Sequence, residues 1–149
     1  MKNLVLSIAS ILLLFYCANT GMQQDSVYGQ SRVIDAKYDQ ILQATVDYLP
    51  ERGYKIKKVN TETGDIETEY QSGAGLGPGF TGDKRAQVKA KVIKIDENQT
   101  KLILEIFSEI RDPQSGWQYV APDYNTARVI YDRFFEAIIA RAQGRAVQF

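Results

Sequence analysis

The chain has 149 residues, enough for one domain with a real hydrophobic core, and its 44% hydrophobic and 24% charged residues are those of a folded protein. Lysine plus arginine and aspartate plus glutamate both total 18, so no net field gathers phosphates, which argues against a nucleic-acid partner. Histidine is absent and Cys17 is the single cysteine, which removes the commonest general base, the commonest metal ligand, any intrachain disulfide and any thiolate cluster.

Residues 1–16 open with Met-Lys-Asn and continue as an apolar run from Leu4 to Tyr16 broken only by Ser7 and Ser10. A basic start followed by a hydrophobic stretch too short to span a bilayer is the layout of a signal peptide, so export is expected. Cys17 closes that stretch with Leu14 three residues before it, an arrangement that resembles the lipobox of bacterial lipoproteins. The resemblance implies that residue 17 becomes the acylated first residue and holds the protein to a membrane, most naturally the outer membrane on its periplasmic side. Tyr16 departs from the small residue usual before the cysteine. The alternatives are an ordinary secretory peptide cut nearby, after Ala18, or an uncleaved anchor. Residues 17–33 are rich in Asn, Thr, Gly, Gln and Ser without apolar periodicity and read as a lipid-anchored flexible tether. The fifteen residues from Ala18 to Arg32 reach roughly 20 Å on average and about 50 Å when stretched.

Residues 34–149 read as a single domain. Ile34, Tyr38, Ile41, Leu42, Val46 and Leu49 recur at helical spacing and predict a first helix over 34–49, ended by Pro50 and Gly53. Four strands are expected at 54–60, 65–71, 85–96 and 100–111. Their alternation puts Tyr54 and Ile56, then Ile66, Thr68 and Tyr70, then Val88, Ala90 and Val92, then Leu102, Leu104 and Ile106 on one face. Lys55 and Lys57, Glu67 and Glu69, Lys89 and Lys91, and Glu105 and Glu109 take the other. That second face alternates in sign from strand to strand, which favours neighbouring strands in chain order. Ile103 and Phe107 interrupt it and mark a contact patch or a harmless exception. A last helix over 124–142, capped by Asp123 or Asn125, carries the stripe Ala127, Ile130, Tyr131, Phe134, Ile138 and Ala142, widened by Phe135 and Ile139. The expected fold is α+β in two layers: a four-stranded antiparallel meander with both helices on one face, in the order αββββα.

The element order and the hairpin run Val59-Asn60-Thr61-Glu62-Thr63-Gly64-Asp65-Ile66-Glu67-Thr68-Glu69-Tyr70 are similar to the helix-grip-like domains of bacterial envelope lipoproteins, such as the C component of the β-barrel assembly machinery. The resemblance covers about residues 34–142. It implies a binding or scaffolding module at the outer membrane and brings no catalytic residues with it. This chain has one such domain where that component has two.

No motif commits the chain to chemistry. The glycine-rich segment 72–82 joins two strands and lacks the Gly-Lys-Ser/Thr ending of a nucleotide loop, so it reads as a hairpin loop tipped by Leu76 and Phe80. The pairs Glu67/Glu69 and Asp132/Glu136 read as solvated faces rather than glycosidase acids. No Gly-x-Ser-x-Gly elbow is present. Tracing the meander brings the loops 72–84 and 112–122 to one end of the sheet, where Leu76, Phe80, Trp117 and Tyr119 would form a partner-binding cluster or fold back to cap the core. The expected function is that of a non-enzymatic, cofactor-free lipid-anchored envelope protein that binds a protein partner. The alternative is a periplasmic carrier of a small apolar ligand held between helices and sheet.

Overall fold

Alternation in the two longest strands organises the molecule. A computed structural model describes residues 29–72, 83–121 and 123–145. Strand β5 (Lys84–Lys94) and strand β6 (Thr100–Asp112) pair antiparallel in an unbroken register from Lys84 opposite Ile110 to Lys94 opposite Thr100. Ala86, Val88, Ala90 and Val92 thereby lie beside Leu102, Leu104 and Ile106 on one face, and all are buried. The remaining strands are β1 (Gly29–Ile34), β2 (Ile56–Asn60), β3 (Asp65–Thr68), β4 (Gln71–Ser72) and β7 (Gly116–Tyr119). The single antiparallel sheet runs β1-β6-β5-β3-β2, with β4 also beside β5 and β7 also beside β6. Helices α1 (Tyr38–Glu51) and α2 (Tyr124–Ala142) complete an α+β fold.

The sheet has seven strands where a four-stranded meander was expected, and each added piece has a physical cause. Strand β1 takes in residues expected to belong to the tether. Its inward positions are Gln30, Arg32 and Ile34, so only one of the three is apolar and no alternation announces it. Pairing with β6 makes it a strand, and Arg32 is accommodated by an ion pair to Asp132 and by stacking 4.7 Å from the centre of the Phe135 ring. Helix α1 consequently begins four residues later than the apolar spacing suggests, with the Gln40 side chain accepting from the Lys37 backbone. It runs one turn position past Pro50 and closes in a Schellman arrangement, Gly53 N donating to Pro50 O at 2.9 Å and Tyr54 N to Leu49 O at 3.0 Å.

A bulge splits the expected second strand. Ile66 faces Ala90 whereas Gln71 faces Ala86, so five steps on one strand oppose four on the other. The extra residue turns Tyr70 to the helix-free face, away from Ile66 and Thr68, because a one-residue slip inverts side-chain direction. Thr68 Oγ1 fills the interrupted ladder by accepting from Val88 N at 2.9 Å. The loop expected at 112–122 contains β7, whose register with β6 runs from Glu109 opposite Tyr119 to Asp112 opposite Gly116.

The charge alternation of the helix-free face appears as ion pairs across strands: Lys57 with Glu67 at 3.0 Å, Lys55 with Glu69 at 3.1 Å, Lys91 with Asp65 at 2.9 Å and Arg85 with Glu109 at 2.6 Å. The opposite face meets α1 and α2 in one core, where Ile41, Leu49, Tyr131, Phe135 and Ile138 are fully buried. Each such side chain contributes about 1.5–3 kcal/mol relative to exposure. Asp123 caps α2, its carboxylate accepting from Asn125 N and Thr126 N.

Candidate functional site

Beneath the helices the interior is filled. Ile41, Leu49, Ile66, Val88, Leu102, Leu104, Tyr131 and Ile138 are each at most 2% exposed, which leaves the middle of the sandwich without room for a guest. The helix-facing surface of the sheet nevertheless continues beyond them. Strand β6 carries its inward alternation on through Ser108 to Ile110, and β7 places Gln118 opposite Ile110. The chain then extends to Val120, whose N–H donates to Ser108 O at 2.9 Å. Ile110 is 37% exposed and Val120 44%, so the core-facing surface emerges into solvent at this end. Tyr124 and Val129 on the first turns of α2 are exposed as well.

The same end receives the two termini of the glycine-rich segment. Ser72 pairs with Arg85, and Asp83 O accepts from Arg111 N at 2.7 Å. Leu76 and Phe80, like Cys17, lie outside the described residues. Trp117 and Tyr119 do stand at this end, but on the helix-free face, opposite Arg111 and Glu109. Trp117 is committed there. The Arg85 guanidinium lies 4.3 Å from its ring centre and 4.4 Å from that of Tyr70, and Glu109 receives Arg85 Nε at 2.6 Å. Burial, then a hydrogen bond to Glu109, raises the Tyr70 pKa. The four side chains, on β5, β6, β7 and the residue just before β4, form a clasp below the open end.

A notch in the β6 edge is closed from α2. Strand β1 covers β6 up to Glu105 and β7 covers it from Glu109 onward. Between them Ile106 N donates to the Tyr131 hydroxyl at 2.9 Å. Burial pushes the Tyr131 pKa up to about 12, against the opposing pull of that bond. The helix is thus fixed to the sheet one turn past Ala127, and this sets where its cover stops.

On the helix-free face an open trough of about 360 Å³ runs between Lys58, Asp65, Glu67, Lys89, Lys91 and Glu105. Both signs line it, and three of its members are already in the ion pairs named above. Among the described residues no three His, Cys, Asp or Glu side chains gather as a metal site, and no helix is long and apolar enough to cross a membrane. Ile110 was legible in the sequence as the inward position two steps of the alternation beyond Ile106, past Ser108. Val120, Arg85 and Tyr131 were not, because their roles depend on strand pairing.

No family model matches the chain, and no curated protein matches it in sequence. Among solved structures, the crystal structure of Ara h 8.0201 resembles it with a TM-score of 0.53 at 13% identity, over 79% of this chain and 97% of that one. At that identity the likeness shows the fold alone, a helix-grip arrangement of one antiparallel sheet packed with a long C-terminal helix.

Proposed function

We propose that this is a non-catalytic binding domain, held at the envelope by a lipid on Cys17, that carries a small apolar molecule at the open end of its helix–sheet sandwich. The observation behind this reading is the emergence of the core face at Ile110 and Val120, where apolar surface lies against the sheet without helix cover. The helix-grip arrangement supports it by setting an antiparallel sheet against one terminal helix whose cover stops short of that end. Anchorage through Cys17 rests on the signal-like residues 1–16 and the isolated cysteine after them.

A neutral fluorescent probe, N-phenyl-1-naphthylamine, tests the reading on a lipid-free protein beginning at residue 17 with Cys17→Ser. Saturable enhancement is expected, lost in Ile110→Glu with Val120→Glu at an unchanged melting temperature. Absence of binding, or binding indifferent to both changes, refutes it. The filled interior favours a second reading, in which the same end docks an envelope protein and scaffolds outer-membrane assembly. In that case crosslinkers placed at Ile110 and Val120 capture a protein from intact cells while the probe fails to bind.

A further inference from the structure

The far end of the two helices carries a second arrangement that the apolar site does not use. Tyr48 of α1 meets Phe134 of α2 edge-on, ring centroids 5.4 Å apart at 89°, and Tyr54 meets the same ring at 6.0 Å. Glu51 and Arg52 follow Tyr48 by three and four residues and so stand one turn beyond it. On α2, Arg133, Ala137 and Arg141 recur every fourth residue along one stripe beside Phe134. Arg141 donates through Nη2 to Glu51 at 2.5 Å, but its Nη1 is buried and, among the described residues, has no hydrogen-bond partner. An unpaired buried nitrogen of a charged group is costly, because it has surrendered water without replacement.

The electrostatics agree on where these groups converge. Burial raises the Tyr48 pKa, while Arg52, Arg141 and Arg133 oppose it and Glu51 adds to it, so three guanidiniums lie within electrostatic reach of one phenol. The carboxylates nearest Arg141 are Glu51 and Asp47, and Asp47 already accepts from Gln43 at 2.8 Å.

We propose that the surface where the C-terminal halves of α1 and α2 meet binds a phosphate group through Arg141, Arg133 and Arg52, with the Tyr48 hydroxyl as a further donor. The guanidinium fork matches two oxygens of a tetrahedral oxyanion, and a turn of the Arg141 plane offers the orphaned Nη1 to the ligand in place of a partner it lacks. The wall formed by Tyr48, Tyr54 and Phe134 lowers the local dielectric and strengthens these bonds. Free phosphate and the phosphodiester of a lipid headgroup share this chemistry.

Isothermal titration of the full chain in non-ionic detergent tests the site, with inorganic phosphate and, separately, glycerophosphoglycerol as probes. A saturable isotherm is expected for at least one, the diester if the source is a lipid head and the monoester if it is free phosphate. Arg133→Gln should weaken that isotherm about tenfold, the loss of one charge-assisted bond. Glu51→Gln should tighten it, since it removes the competing carboxylate. Arg141→Gln should abolish it, with the melting temperature recorded to show that the protein remains folded. No saturable isotherm with either probe overturns the proposal. So does binding that is unchanged in folded Arg133→Gln and Arg141→Gln, or weakened in Glu51→Gln.

Discussion

Replacing Gly64 by alanine tests how tightly the hairpin between β2 and β3 is bound to the sheet. Gly64 has φ of 73°, a left-handed conformation that costs an L side chain about 1–2 kcal/mol. A Cβ there would sit 2.0 Å from Val92 O and 2.9 Å from Val92 C, both backbone atoms, and 3.2 Å from the Tyr38 hydroxyl oxygen. The clash cannot be relieved by a rotamer. It must push the turn away from β5, breaking the bond from Val92 N to Gly64 O, now 2.9 Å. Leaving that buried pair unmet adds about 1–3 kcal/mol. The sum is about 2–5 kcal/mol, a large part of the 5–15 kcal/mol that holds typical domains folded. At about 4 °C per kcal/mol the melting temperature should fall by about 8–20 °C. Gly116, with φ of 80° and nothing within 4 Å of its would-be Cβ, is the internal control and should lose only about 1 kcal/mol as alanine. Chemical denaturation of the two variants decides the matter. Equal losses would refute the packing argument while leaving the conformational one standing, and a Gly64→Ala loss below about 1 kcal/mol would refute both.

Arg85→Lys should loosen the clasp, since lysine keeps the charge but loses both the fork to Glu109 and the flat face between Tyr70 and Trp117. A red shift of the Trp117 emission and a loss of about 1–2 kcal/mol are expected, and unchanged emission would show that Trp117 is held by something else. Tyr131→Phe leaves Ile106 N without its acceptor and should cost about 1–3 kcal/mol, accompanied by faster hydrogen exchange at that amide. In alkaline titration of the wild type, Tyr131 should be among the last phenols to ionise, near its value of about 12. The Asp123 pKa is lowered by hydrogen bonds from Thr126, so its contribution is complete above the unfolded carboxylate value and is lost as pH falls through the depressed folded one. Asp123→Asn keeps the cap while removing the titration. Stability at neutral pH should therefore hardly change, and the decline below about pH 4 should become shallower. An unaltered acid profile would mean that the cap charge is not what the proton opposes.

Much of the fold was legible along the chain. The inward sets of β5 and β6, the stripe and Asp123 cap of α2, and the sign alternation of the helix-free face all follow from residue order, because side-chain direction in a strand or helix is fixed by local geometry. The same periodicity marked Ile110 as inward. Other features required the partner to be present. Gln30, Arg32 and Ile34 become a strand only beside β6, with Asp132 and Phe135 supplied from the other end of the chain. Tyr70 changes face because a bulge against β5 inserts one residue, which no pattern within 65–72 encodes. Trp117 and Tyr119, expected on a loop, lie in β7 because a four-residue strand at an edge is stabilised by the ladder it joins rather than by its own alternation. The place where helix cover ends, and with it the exposure of Ile110 and Val120, is decided by the Tyr131 bond to β6 across 25 residues of sequence. Local periodicity determined which side chains face inward; only long-range pairing decided which of those inward faces stay open.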